Sequence, residues 1–230
     1  MSYMKNSLIA LCACLVILFA QLLHAQDRMR YREFQLGSDV ASVAKLIGTS
    51  SDIKLIHQRP AVMQDLEWRP RYFSRSPAAQ TDPVDLILLR FVDDQLFRVV
   101  VDYARDRTAG MTEADMIEAI AETYGPASKV LATSRRVPTL DYGGVDAPVA
   151  IWADKESSIT LFRVAYPVSF RLVVALTRLD NLARTASAEA VRLDTREAPQ
   201  REIARQQKES DEALAALTKA KTENKAVFRP

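Results

Sequence analysis

The side chains that could carry out chemistry in this chain are few and scattered. His57 is the only histidine beyond residue 25, and no G-x-S-x-G sequence supplies a nucleophile for a serine-type triad that would use it. A zinc site needs several histidine, cysteine or carboxylate ligands, and both cysteines, Cys12 and Cys14, lie in an apolar N-terminal run. The sequence therefore favours a structural or exposed role for His57. It predicts no metal centre and no cofactor.

Aspartates gather at two places where they could form a site. Asp93-Asp94 separates two strand-like segments, and turn chemistry explains it. Asp141, Asp146 and Asp154 lie around a glycine pair and could hold a cation such as Ca²⁺, but their spacing matches no EF-hand loop. A carboxylate-only hydrolase acting on envelope glycans stays open as an alternative. It would need two carboxylates roughly 5–10 Å apart across a cleft.

The most unusual surface stretch is the basic-aromatic run Trp68–Arg75, WRPRYFSR. Arginines interleaved with aromatic rings can bind polyanions or carboxylated glycans, and the same mixture is common at protein–protein hot spots. Alternatively, the aromatic rings pack on the core while the arginines face water. The residues of this run from which we expect partner contacts are Trp68, Arg69, Arg71, Tyr72 and Arg75.

Residues 1–25 are typical of a secretory signal peptide. Lys5 precedes an almost wholly apolar run from Leu8 to Leu23, and Ala25 ends a tolerable cleavage site. An uncleaved membrane anchor is the alternative, because about 18 apolar residues can span a bilayer. Since both cysteines lie in this segment, the mature chain would have neither disulfides nor thiol chemistry. Export to the periplasm or outside the cell also argues against nucleic acid as a partner.

A hairpin is predicted around Asp93-Asp94, and it would position these two aspartates. Alternating apolar residues predict one strand on each side. We expect the three-residue loop Asp93-Asp94-Gln95, because it sets Phe91 opposite Phe97 and keeps the apolar side chains on one face. The same register sets Arg90 opposite Arg98, where like charges repel.

Two predicted helices begin and end with the same types of residue. A glycine, a polar capping turn, an apolar helical face and a closing glycine occur at Gly37–Gly48 and again at Gly110–Gly125. The second has a capping box, Thr112-x-x-Asp115. Strand-like segments without helical crossovers follow each helix, which predicts antiparallel sheet and an α+β class. We expect two consecutive helix-plus-sheet units at residues 26–106 and 107–183, with a single mixed sheet lacking a repeat as the alternative.

A family resemblance rests on these helix boundaries. Gly37-Ser38-Asp39…Val43…Leu46-Ile47-Gly48 resembles the glycine-to-glycine helix of small outer-membrane assembly lipoproteins of the SmpA/OmlA type. Gly110-Met111-Thr112…Tyr124-Gly125-Pro126 is similar, though longer. Two such copies in tandem resemble the β-lactamase inhibitor proteins. The resemblance implies tandem α/β units and an exported binding protein. It carries over no partner-contacting residue, and the lipidated cysteine of those lipoproteins has no convincing match.

Residues 184–230 are expected to form a polar linker and a charged helical tail. Asp180–Gln200 is polar and without periodicity, whereas Arg201–Lys225 is rich in helix formers. Its thin apolar stripe favours a solvated helix, with a partner-docking helix or a spacer as alternatives.

The sequence as a whole favours an exported, non-enzymatic binding protein of the cell envelope that acts through protein or peptide contacts. Without Lys5, 30 basic and 29 acidic residues remain, so overall charge attracts no polyanion. Membrane contact is expected only if the N-terminal segment stays uncleaved. The alternatives are the carboxylate-only hydrolase and a structural spacer that acts through the C-terminal helix.

Overall fold

The computed structural model describes residues 28–48, 53–73, 80–131, 137–139, 144–165 and 168–229. The predicted signal segment lies outside these residues. The class is α+β, as the sequence predicted. The chain divides into two compact units, of which the first ends at Arg184 and the second is Thr185–Pro230.

The helices and strands of the described residues are numbered here along the chain. In chain order they are β1 (Arg30–Tyr31), β2 (Phe34–Gln35), α1 (Val40–Ile47), β3 (Lys54–His57), β4 (Met63–Trp68), α2 (Pro70–Phe73), β5 (Val84–Val92), β6 (Gln95–Tyr103), α3 (Arg105–Thr108), α4 (Glu113–Tyr124), β7 (Lys129–Val130), β8 (Val137–Thr139), β9 (Gly144–Ala153), β10 (Ser157–Val164), β11 (Ser169–Leu176) and α5 (Thr177–Val227).

Eight strands form one antiparallel sheet in the order β3-β4-β5-β6-β11-β10-β9-β7, and β8 pairs with β9 beside this path. Strands β3 to β6 follow each other as a meander, as do β9 to β11. The two meanders meet where β6 pairs with β11. β1 and β2 form a separate two-stranded sheet.

The core lies between one face of the sheet and the two predicted helices. Val43 of α1 and Met116 and Ile120 of α4 join the apolar side chains of the central strands in one buried cluster. Trp152 is fully buried there, and its indole Nε1–H donates to the carbonyl oxygen of Gly125 at 2.8 Å. Each large apolar side chain buried in this way stabilises the fold by about 1.5–3 kcal/mol.

Both helix boundaries are confirmed in detail. The Asp39 carboxylate caps α1 by accepting from the Ser42 N–H at 2.8 Å, and Gly48 ends it in the left-handed conformation. Thr112 and Asp115 form the expected capping box at the start of α4.

The turn between β5 and β6 differs from the prediction. It contains two residues, Asp93 and Asp94, both with positive φ (47° and 64°), as in the type I′ turns that match hairpin twist. The predicted three-residue loop and the pairing of Phe91 with Phe97 are therefore wrong. Arg90 does lie opposite Arg98, as expected. A register shift beyond that pair absorbs one extra residue, as in a β-bulge, so Leu96 lies opposite Phe91 and joins Val99 and Val101 in the core cluster.

The same turn joins the sheet to α1. The Asp94 carboxylate accepts from the Val40 N–H at 3.0 Å, and the Asp93 carboxylate accepts from the Val62 N–H at 2.9 Å. The Gly37 N–H also donates to the carbonyl oxygen of Leu96 at 2.8 Å. The turn chemistry expected for these aspartates therefore includes capping of a distant helix.

Aspartates neutralise the arginines on the sheet face opposite the core. The repulsion expected between Arg90 and Arg98 is relieved because each arginine pairs with its own aspartate. The pairs are Arg90 Nε with Asp65 at 3.0 Å, Arg98 Nε with Asp180 at 2.6 Å, and Arg171 with Asp102 at 2.5 and 3.1 Å and with Asp146 at 2.8 Å.

Helix α5 begins earlier than the sequence indicated. The polar stretch after Leu179, which showed no periodicity, is helical, and Pro199 lies inside the helix. In the second unit, the Arg201 guanidinium donates to the carbonyl oxygen of Asp194 at 3.0 Å, beside the position where a proline interrupts the backbone ladder. From Ala198 to Arg229 every residue is exposed. No helix among the described residues is long and apolar enough to cross a membrane.

Candidate functional site

The basic-aromatic run lies at the end of β4 and in the connection to β5, residues 69–83, of which 69–73 and 80–83 are described. Pro70 occupies the first position of α2, where its missing N–H costs no hydrogen bond. The Tyr72 N–H donates to the carbonyl oxygen of Arg69 at 3.1 Å. This single helical turn sets the directions of the neighbouring side chains.

Trp68 faces inwards. It is half-buried against the core cluster, and its ring meets the Phe34 ring edge-on, with centroids 5.5 Å apart. Such aromatic pairs contribute about 0.5–1.5 kcal/mol beyond the area they bury. Trp68 therefore anchors the start of the β4–β5 connection on the core.

Arg69 and Arg71 are both held by aspartates from other elements. Arg69 Nη1 lies 3.2 Å from the Asp85 carboxylate, and both side chains are about 40% exposed. Arg71 donates to both oxygens of Asp106 on α3, at 2.9 and 3.1 Å. The hydrogen bonds of this fork raise the pKa of Arg71 and hold the pKa of Asp106 below its ordinary value.

Tyr72 is 74% exposed, the most exposed described aromatic ring before residue 200. It therefore presents an aromatic ring to solvent directly after Arg71, whose guanidinium group is held by Asp106. Arg75, the fifth predicted residue, lies outside the described residues.

An ion pair and a hydrogen bond that the sequence did not indicate hold the far end of the connection. Arg32 donates to both oxygens of Asp82 at 2.7 and 2.8 Å. Burial would raise the pKa of Asp82, but the hydrogen bonds from Arg32 and from the Val84 N–H outweigh it and keep that pKa low. Arg107 donates to the carbonyl oxygen of Gln80 at 3.1 Å. Arg32 and Arg107 lie 50 and 27 residues from their partners in the chain, so no local spacing could have revealed these contacts.

The other residues considered for a metal or catalytic site either have structural partners or are not grouped into a site. Asp154 accepts from the Glu156 and Ser157 N–H groups at 2.8 and 2.7 Å and so closes a turn, while Asp146 is buried against Arg171. Asp141 lies outside the described residues. His57 ends the edge strand β3. Within the described parts of the chain, no three histidine, aspartate or glutamate side chains are grouped so that they could hold a metal ion.

Comparison of the chain with protein-family models, curated proteins and solved structures yields no match in any of the three. The resemblance to the SmpA/OmlA-type lipoproteins and the β-lactamase inhibitor proteins therefore stays a prediction.

Proposed function

We propose that this protein is an exported, non-enzymatic binding protein of the cell envelope or periplasm, and that the connection between β4 and β5 contacts a protein or peptide partner. The observation that carries the proposal is the unequal length of two corresponding connections. β9 and β10 are joined by residues 154–156 alone, whereas β4 and β5 are joined by residues 69–83.

This correspondence rests on a tandem repeat, which is part of the proposal. The strand order reads β3-β4-β5-β6 from one edge and β7-β9-β10-β11 from the other. Val100 and Val173, which are 73 positions apart, face each other at the junction of the halves. The same offset relates pairs along both halves, namely Gly37 and Gly110, Val43 and Met116, Ile47 and Ile120, Phe97 and Phe170, and Arg98 and Arg171.

Cross-strand neighbours support the same correspondence. Trp68 pairs with Ile87, which pairs with Val101, in one half. Trp152 pairs with Ile159, which pairs with Val174, in the other. The two tryptophans of the chain thus stand at matching places, directly before the long connection and near the short one. An insertion into one copy of a repeated scaffold adds nothing that the fold requires, and such loops commonly carry binding residues.

The composition of the connection suits a protein contact. Exposed tyrosine flanked by arginine is typical of interface hot spots. Because Asp85 and Asp106 already orient Arg69 and Arg71, fewer side-chain rotations would be lost on binding. Export rests on the composition of residues 1–25.

Site-specific photocrosslinking in the native envelope tests this function. A photoreactive phenylalanine analogue at Tyr72 is expected to yield a discrete crosslinked species that the same analogue at Val168, an exposed residue of the β10–β11 connection, does not yield. Arg69→Ala and Arg71→Ala should reduce that species. A crosslinking pattern identical at positions 72 and 168 would refute the proposal.

A spacer function has one observation in its favour. The exposed part of α5 carries a ladder of ion pairs three or four residues apart, including Arg205 with Glu202 and Glu209, Lys208 with Glu212, and Lys219 with Glu223. Such pairs stabilise a helix that is polar on all sides. Deleting residues 201–230 should then change the protein's position in the envelope while photocrosslinking from Tyr72 persists. The hydrolase alternative stays a prediction of the sequence.

A further inference from the structure

Strand β3 has an open edge. It pairs with β4 on one side, and no described strand pairs with its other side. The outward backbone groups of an edge strand can pair with another extended chain. Natural proteins often block such edges with charged residues or bulges. The register of β3 shifts only beyond Leu55, so Lys54 and Leu55 decide what could pair there.

Exposed apolar side chains accompany this edge. Leu55 is 46% exposed and Ile53 is 41% exposed. The register sets Leu55 beside Gln64, which lies beside the core residue Phe91. Leu55 therefore continues the row of side chains on the core face of the sheet. An added strand would meet that row with an apolar residue.

The opposite face of the same edge carries a row of charge. The register sets Lys54 beside Asp65, which lies beside Arg90 and bonds to it at 3.0 Å. The row reads positive, negative, positive from the edge inwards. A carboxylate on an added strand would continue the alternation, because opposite charges on neighbouring strands attract.

We propose that β3 binds an extended peptide segment of a partner protein by strand addition, with apolar and acidic residues alternating along that segment. Within β3 the charged side chain is Lys54, and the strand carries no carboxylate. A second copy of the chain would set this basic edge against itself. The edge thus complements an acidic strand. This surface is independent of the connection between β4 and β5.

Fluorescence anisotropy with two labelled peptides tests the proposal. One peptide alternates valine with glutamate, and the other alternates valine with lysine. The wild-type protein is expected to bind the glutamate peptide more tightly. Lys54→Glu should weaken that binding by about tenfold and favour the lysine peptide instead. Leu55→Asp should weaken the binding of both peptides.

Lys129→Glu is the matched control, because Lys129 is an exposed lysine at the opposite edge of the sheet. It should change neither affinity. Lys54→Gln, which removes charge without reversing it, should lie between wild type and Lys54→Glu, and circular dichroism verifies that each variant is folded. The proposal is overturned if Lys129→Glu rather than Lys54→Glu removes binding, or if neither does. Self-association that Lys54→Glu abolishes would also overturn it, because the occupant would then be a second copy.

Discussion

Single carboxylates connect parts of this protein that are far apart in the sequence. Asp94 forms half of a tight turn and also caps a helix that begins 54 residues earlier. Asp180 lies on α5 yet neutralises Arg98 in the middle of the sheet. At Ala175, the residue beside Arg98 on β11, no carboxylate is present. A helix from outside the sheet supplies it.

Substitution of Asp94 should separate these two roles. Asp94→Gly loses the hydrogen bond to Val40 but tolerates the positive φ. Asp94→Ala loses the bond and also incurs the cost of the left-handed conformation. We therefore expect the alanine variant to be the less stable by about 1 kcal/mol in urea unfolding. Asp211→Ala, at an exposed position in α5, is the control. Equal stability of the two Asp94 variants would contradict the assignment.

Asp180→Asn should leave the buried Arg98 charge poorly compensated. Arg98 is 6% exposed and Asp180 is 8% exposed, and breaking a buried pair from one side costs about 3–5 kcal/mol. We expect a loss of that order in urea unfolding. The double variant Arg98→Met/Asp180→Leu should recover much of it, since neither charge of this pair then remains in the protein. A single variant as stable as wild type would mean that Arg98 is neutralised otherwise.

At the scale of elements, each of the two core helices has a capping aspartate at its N-terminus, Asp39 before α1 and Asp115 in the first turn of α4. Backbone N–H groups donate to Asp39 and to Asp115, and these hydrogen bonds lower the pKa of both carboxyl groups. A carboxyl group with a lower pKa in the folded state stabilises the fold fully above its unfolded pKa. That contribution disappears as the pH falls through the folded value.

The pH dependence of stability should therefore have an acid limb to which these caps contribute, together with Asp82 and Asp106, whose pKa values are also lowered. The free energy of unfolding is expected to be constant near pH 6 and to fall below about pH 5, because unfolded aspartate titrates near 3.9. Asp115→Asn should lower stability at pH 7 and make the decline between pH 5 and pH 3 shallower. Urea unfolding across this range measures both effects. Parallel curves for wild type and variant would exclude a contribution from Asp115.

At the scale of the whole molecule, we expect residues 201–229 of α5 to contribute little to the free energy of unfolding of the unit that ends at Arg184. Residues 201–229 are exposed, and their ion pairs join residues of the same helix. Truncation after Gln200 is expected to change the free energy of unfolding of that first unit by less than about 0.5 kcal/mol. Truncation before Thr177 should cost several times more, because it removes buried Leu179 and the partner of Arg98. Circular dichroism with urea distinguishes these results.

The sequence by itself determined the local structure. Glycines, caps and helical spacing defined α1 and α4, and alternating apolar residues located β5 and β6, because these signals depend on neighbours within a few residues. The α+β class followed from the absence of helical crossovers. The length of the hairpin loop could not be predicted, since a bulge elsewhere in the hairpin compensated for the shorter turn.

Only the tertiary structure decided which side chains are buried, which form ion pairs and which are exposed to solvent. Trp68 turns towards Phe34, Arg69 and Arg71 are held by Asp85 and Asp106, and Tyr72 faces solvent. The basic-aromatic run specifies these residue types but not their partners, because the aspartates are supplied by β5 and α3. The same holds for β3, whose place at the edge depends on the order of all the other strands. The patterns that predict helices and strands involve residues close together in the sequence. Exposure and ion pairing depend on which distant residues the fold places next to each other.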